Sequence, residues 1–260
     1  MKKKSAIFEP IDHETVVDSV THQIENLIVT GVLKEGAKLP SEREMADAMD
    51  VSRPKIREAL QRLEELKLVV VKHGEGSFVG PIIGSAMNPA LINLISRNQA
   101  AFYDYLEYRR EQEAFAARLA ATRATNSDKE IIRYLLAEHE RAHLAGEDKT
   151  AKKADIDFHA AIVDACHNTM MIHTMASIYE LTHKGVFYNP DFLLAVVGSG
   201  DELIRQHKLI GFAVLEGRAE DAAQAAWDHI DFVEQSFRKS NENLRREFLS
   251  QKRLAVVSGD

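Results

Sequence analysis

The residues best suited to chemistry lie well past the first third of the chain. Asp155 and His159, in the run Asp155-Ile156-Asp157-Phe158-His159, are four positions apart. On a helix that spacing puts both side chains on one face, whereas Asp157 faces away. His207 and His229 each stand 11 residues from Arg218, beside Gly217. Two helices meeting at that glycine form an antiparallel hairpin, in which residues equidistant from the turn face each other. One carboxylate and three imidazoles from three helices can therefore converge. Such a set suits a divalent metal, Zn first, with Ni, Mn or Fe also compatible. Water or a ligand would complete the shell, leaving positions a carboxylate could take. Arg109 or Arg110, on an earlier helix, can supply a bidentate clamp for that carboxylate. Spacing alone does not exclude His139, His143, His167, His173 or His183. The same donor set could serve a metal-dependent hydrolase, but no general-base or oxyanion motif accompanies it, so that reading ranks below a sensor.

A second constellation is basic. In Ser52-Arg53-Pro54-Lys55-Ile56-Arg57-Glu58-Ala59-Leu60-Gln61-Arg62-Leu63, the apolar Ile56, Leu60 and Leu63 form one helical stripe. Arg53, Lys55 and Arg57 are left at or near the exposed N-terminal end, the end a recognition helix presents to base edges in the major groove. Arginine pairs bidentately with guanine, and the open N–H groups of a first helical turn favour phosphate. Arg43, on the preceding helix, is placed for the DNA backbone or a flanking base, and Lys72, His73 and Gly74 for the minor groove or phosphates. A protein-binding module is the competing use of such a surface, and the basic row argues against it.

The elements that must carry these residues follow from apolar periodicity and turn residues. Val16, Val20, Ile24, Leu27 and Ile28 predict a helix over 15–30, ended by Gly31. Residues 35–40 read as a turn. Ser41 with Glu44 is a capping box opening a second helix. After a short turn at Asp50-Val51, Ser52 caps a third, with Pro54 in its first turn. The β-branched run 68–72, a turn at His73-Gly74-Glu75-Gly76 and a strand at 77–79 complete the order helix, helix, helix, hairpin. That is a winged helix-turn-helix. The Gly/Pro/Ser/Asn-rich stretch from residue 80 reads as a linker. Beyond it helices are expected at 102–125, 128–145, 151–167, 170–186, 201–216 and 219–246, with Ser127 and Glu130 as another capping box and a polar, frayed tail from about 248. The expected division is a DNA-binding domain at 1–80, a linker at 81–98, a helical domain at 99–246 and a tail at 247–260. The fold class is mainly α.

Composition sets limits. The net charge is −7, and residues 1–80 hold 12 Lys/Arg against 14 Asp/Glu. Indiscriminate coating of nucleic acid is therefore excluded, and DNA binding must rest on a local basic patch. No apolar stretch approaches the roughly 20 residues of a membrane span, so no membrane partner is expected. Lys2, Lys3 and Lys4 open the chain, but Glu9, Asp12, His13 and Glu14 stand where a signal peptide needs an apolar region. The expected location is the cytoplasm. Cys166 is the single cysteine, so no disulfide within the chain and no cysteine-built zinc site can form.

The runs Leu39-Pro40-Ser41-Glu42-Arg43-Glu44-Met45-Ala46, Val51 to Leu60 and His73 to Val79 resemble the GntR family of bacterial transcription regulators over residues 12–80. The resemblance implies DNA contacts at Arg43, Ser52, Arg53, Lys55, Arg57 and the His73-Gly74 wing tip, and a dimer on a short palindromic operator. Tyr108 to Glu113, Asp155 to Ile162 with Asn168, Gln206 to Ile210, and Glu216 to Ala223 leading to His229-Ile230 resemble the FCD ligand-binding domain of the FadR subgroup. That likeness implies an antiparallel bundle of six or seven helices. It also implies a divalent metal held at Asp155, His159, His207 and His229, with Arg109 near a bound small carboxylate. The family usually carries Leu-Glu-Pro after the arginine pair, where this chain has Gln112-Glu113-Ala114. Within the subgroup the chain resembles regulators of pyruvate, lactate or glycolate metabolism. A metal-independent sensor of an acyl-CoA, as in the subgroup's founding branch, is the alternative. The Asp155-His159-His207-His229 set argues against it.

Overall fold

The computed structural model describes residues 15–82, 98–183 and 199–258. The chain divides into two compact units between Ile82 and Ile83.

In the first unit, α1 (Val16–Val29) buries Val17, Val20, Ile24 and Ile28. Thr15 caps it, exchanging bonds with Asp18. Helix α2 (Glu42–Met49) opens with the expected Ser41/Glu44 box and ends at Asp50 in the left-handed region. Helix α3 (Arg53–Glu65) buries Ile56, Ala59, Leu60 and Leu63. Ser52 is its N-cap by backbone conformation, but its side chain makes no capping bond. Arg62 of α3 pairs with Asp18 of α1. Strands β1 (Val69–Lys72) and β2 (Gly76–Val79) form the hairpin, Val69 opposite Val79 and Lys72 opposite Gly76. The order is that of a winged helix-turn-helix.

The segment expected to be only a turn at 35–40 does more. Leu39 N–H donates to the Ser77 carbonyl and Val79 N–H to the Ala37 carbonyl, each at 2.9 Å. Residues 37–39 thus line the free edge of β2 and fix the wing to the helices. Gly80 follows where the chain passes the Lys67 carbonyl. A Cβ there would lie 2.5 Å from that oxygen, so any side chain must move backbone.

In the second unit the described residues hold six helices: α4 (Gln99–Arg123), α5 (Asn126–Leu144), α6 (Asp148–Asp164), α7 (Thr169–His183), α8 (Ser199–Leu215) and α9 (Ala219–Ser258). Helices α4 and α9 run antiparallel. Arg118 meets Glu220, the Trp227 indole donates to Glu111, Arg110 bridges Asp231 and Glu234, and Phe102 packs edge-on to Phe237. Ala116, Ala117 and Ala120 present a small-residue face from α4 to a core of Ile132, Phe158, Ile162, Met175, Ile210 and Val214. Gly217, at φ 75°, makes the turn from α8 into α9.

Three expectations need correction. The α5 cap is Thr125 with Asp128, not Ser127 with Glu130, because α5 begins at Asn126. The residues from 248 are not frayed: α9 continues unbroken to Ser258, since no Gly or Pro interrupts it and i,i+4 pairs such as Glu242–Arg246 support it. Helices α4 and α6 each start three residues earlier than their expected starts at 102 and 151. Most of the expected linker lies outside the described residues. No helix among those described is long and apolar enough to cross a membrane.

Candidate functional site

Four helices of the second unit bring histidines to one point. Helix α6 carries Asp155 and His159 on one face, α8 carries His207, α9 carries His229 and α5 carries His139. The nitrogens of His159, His207 and His229 lie within 4.8 Å of one another, as do donor atoms of His139, Asp155 and His207. His207 belongs to both groups and is fully buried. Its Nε2 lies 3.1 Å from His229 Nε2 and 3.5 Å from Asp155 Oδ1. The four residues expected to form a metal set thus lie in two overlapping groups that share His207, with His139 joining Asp155 in the second.

The other ring nitrogens are each engaged. His159 Nδ1 meets Glu113 Oε2 at 2.6 Å. His229 Nδ1 meets Gln206 Oε1 at 2.9 Å. The Gln206 amide donates to Glu202 at 2.7 Å, which turns its oxygen toward His229 and requires a proton on His229 Nδ1. His207 Nδ1 lies 3.1 Å from His139 Nδ1. An Nδ1–H held in this way orients the ring and leaves Nε2 as a lone-pair donor, the arrangement by which outer residues tune metal-binding histidines.

Electrostatics agree with that assignment. Burial, then the neighbouring imidazoles, push His207 and His229 well below the ordinary histidine value, and burial also lowers His139. At neutral pH these rings are uncharged and their lone pairs available. Burial alone would raise Glu113, but the charge of Arg109 and the hydrogen bonds from His159 and Arg109 outweigh it and hold the carboxyl well below the usual range. Burial would lower Arg109, and Glu113 outweighs that, so its guanidinium stays charged. Neutral imidazoles beside a carboxylate, with Nδ1 atoms already occupied, fit a divalent cation.

Arg109 is less free than the sequence suggests. Its Nε pairs with Glu113, and the guanidinium sits 5.7 Å from the Tyr179 ring centre. Its partner Glu113 also holds His159, so Arg109 is joined to the cluster through that carboxylate. Arg110 points elsewhere, binding Asp231 and Glu234 and covering Trp227. Among the other candidates, His143 pairs with Asp201 and His167 with Asp128, both outside the cluster. The side chain of His183 lies outside the described residues. Sequence reasoning missed Glu113, Gln206 and Tyr179, and left His139 open. The i,i+4 step from Arg109 to Glu113 was the one available signal.

In the first unit, Arg43, Ser52, Arg53, Lys55, Arg57, His73 and Gly74 are all exposed. Arg57 forks onto Glu42 at 3.1 and 2.7 Å, and Lys55 meets Glu58 at 2.9 Å. Arg43 and Arg53 form no ion pair among the described residues. Gly74 takes φ 78° at the hairpin tip, a conformation that favours glycine. Lys72 and Lys38 flank the Phe78 ring at 4.6 and 5.9 Å.

Comparison with known proteins bears on both units. Residues 16–79 match the family model described as bacterial regulatory proteins, gntR family, and residues 104–232 match the FCD domain. The Glc operon transcriptional activator of Escherichia coli (strain K12) is 32% identical over 231 residues, 86% of this chain and 90% of that protein. The HTH-type transcriptional regulator LutR of Bacillus subtilis (strain 168) is 31% identical over 209 residues, 80% of this chain and 94% of that one. A solved structure of Streptococcus agalactiae GntR is 24% identical, covering 85% of this chain and 100% of that one, with a TM-score of 0.49.

Proposed function

This chain belongs to the GntR family of bacterial transcription regulators and carries an FCD domain, and from that premise we propose that it is a cytoplasmic, metabolite-responsive switch on operator DNA. Two copies bind a palindromic operator, and a small carboxylate bound beside a divalent metal, zinc first, alters operator affinity. Residues 1–80 form the DNA-binding domain, 81–98 the linker and 99–246 the sensor. Its relatives are regulators rather than enzymes.

The observation that carries the reading is the gathering of Asp155, His159 and His229 around the buried His207, with Arg109 joined to the cluster through Glu113. A metal held there would supply positive charge to bind a carboxylate. Asp155 offsets part of that charge. Glu113, Gln206 and His139 hold the three rings in the required tautomers. Arg109 adds a fixed cation whose own charge is balanced by Glu113. In the first unit, Arg53 at the start of α3 is the base reader, and Arg43, Lys55, Arg57 and the His73-Gly74 tip position the module on phosphates. A ligand shifts the operator equilibrium only by its differential affinity for the two states, typically about 1–3 kcal/mol.

The test is binding of the full chain to a fragment of its own promoter, with and without glycolate, L-lactate and pyruvate, before and after chelation. We expect a several-fold change in operator affinity with at least one acid, abolished by chelation and restored by Zn. Operator binding insensitive to every acid and to chelation would reject the metal-carboxylate sensor. Failure to bind the promoter fragment would reject the DNA-binding reading.

A further inference from the structure

Tyr179 of α7 is 3% exposed, and its phenol oxygen has no hydrogen-bond partner among the described residues. Native interiors seldom leave such an oxygen unserved, because the bond lost to water is not replaced. Its surroundings belong to the candidate site. The Arg109 guanidinium stands 5.7 Å from its ring centre and the His159 ring 6.5 Å away. Burial, reinforced by the charge of Glu113, pushes the phenol well above its ordinary value. The group is therefore a neutral donor at any working pH. The nearest acceptor, Glu113, already receives Arg109 on Oε1 and His159 on Oε2; its free lone pairs draw on the phenol hydrogen, but no hydrogen bond of full geometry forms between them.

A buried donor that makes no full hydrogen bond to the protein, beside an arginine and three metal-competent imidazoles, leaves room for an acceptor from outside the chain. We propose that the Tyr179 hydroxyl donates a hydrogen bond to an oxygen of the bound effector, a small carboxylate, and so sets which acids the site accepts. The inference rests on the carboxylate-sensor reading above. It adds a recognition residue from α7, a helix that contributes no metal donor. Arg109 and a metal attract any anion. The phenol O–H is directional and rewards an oxygen at one position only.

The experiment is thermal denaturation of the full-length, Zn-loaded protein titrated with acetate, glycolate, L-lactate and pyruvate, in wild type and Tyr179→Phe. Phenylalanine keeps the ring and removes only the orphan hydroxyl. Without acid, the variant should therefore melt at or above the wild-type temperature. Its apparent affinity for the active acid should fall roughly ten-fold, the loss of one buried hydrogen bond. Loss for every acid, acetate included, places the acceptor on the carboxylate. Loss confined to the acids with a second oxygen places it on the adjacent carbon. Either result supports the proposal. An unchanged titration in Tyr179→Phe overturns it and leaves the sensor reading intact. So does a lower melting temperature without acid, which would mean that the hydroxyl serves the protein itself. A wild type shifted by none of the four acids overturns the sensor reading and this inference together.

Discussion

Replacing His207 by alanine should abolish stoichiometric metal binding, weakening affinity by more than the roughly 10–100-fold typical of outer-shell substitutions. His207 is the hinge of the cluster. It is shared by both groups of converging donors, it is fully buried, and its Nε2 faces both His229 and Asp155. Without it neither group retains three donors. His139→Ala should give the intermediate effect, within that 10–100-fold range, because His139 touches only the Nδ1 side of His207. His22→Ala, in the other unit, should retain one metal per chain. Elemental analysis after exhaustive dialysis, with chelator competition for the affinities, measures all three. A destabilised fold would also lose metal, so melting temperatures separate the two causes. Ligand binding to the native state alone raises stability, so chelation should lower the wild-type melting temperature and leave His207→Ala unmoved. Full metal occupancy in His207→Ala would reject the donor set. A wild type that holds no metal and ignores the chelator would reduce the cluster to a polar core.

Which parts of this arrangement were legible in the sequence follows from how local the geometry is. Asp155 and His159 share one helix, and the 3.6-residue period places them together. His207 and His229 are related by a short hairpin, so counting outward from Arg218 sufficed. Glu113 and His139 depend on how α4 and α5 lie against α6 and α8. That is settled by the alanine face of α4 and by the packing of Ile132, Phe158 and Ile210, which no spacing encodes. A buried glutamate also runs against composition-based expectation. Glu113 is tolerated because Arg109 and His159 surround it.

The N-terminal unit shows the same division. Its three apolar stripes and the Ser41/Glu44 box lie within single helices and read directly. The pairing of residues 37–39 with β2 joins segments about 40 positions apart, and only the folded chain reveals it. The α5 cap was a contest between two pairs of the same type, Ser127/Glu130 and Thr125/Asp128. Ala124 leaves the helical conformation with ψ at 125°, so the new helix starts at once and Thr125 takes the cap. The end of α9 was misjudged because polarity was read as disorder. Its polar side chains find partners along the helix instead, Gln251 on Glu247 and Lys252 over the Phe248 ring, and the run contains no breaker.

Operator binding should respond most strongly at Arg53. Three basic residues occupy the start of α3, but their ion pairs differ. Arg57 is forked onto Glu42 and Lys55 is held by Glu58, so each must give up a partner before meeting DNA. Arg53 has none among the described residues and is exposed at the first helical position. A bidentate arginine–guanine contact is worth about 1–3 kcal/mol. A dimer on a palindrome makes it twice, so Arg53→Ala should weaken specific binding by about 2–6 kcal/mol, roughly 30-fold to 20,000-fold. Arg57→Ala should cost less, because the wild-type contact already carries the cost of leaving Glu42. Arg43→Ala should act differently, weakening all sequences alike and lowering the salt dependence by about one counterion per site. Titration of a promoter fragment and of unrelated DNA at several salt concentrations separates the three. None of these exposed side chains supports the core, so melting temperatures should be unchanged. Undiminished specific binding by Arg53→Ala would remove it from the base-reading role. In a first unit that carries no net positive charge, the free arginines at Arg43 and Arg53 are where attraction for DNA must concentrate.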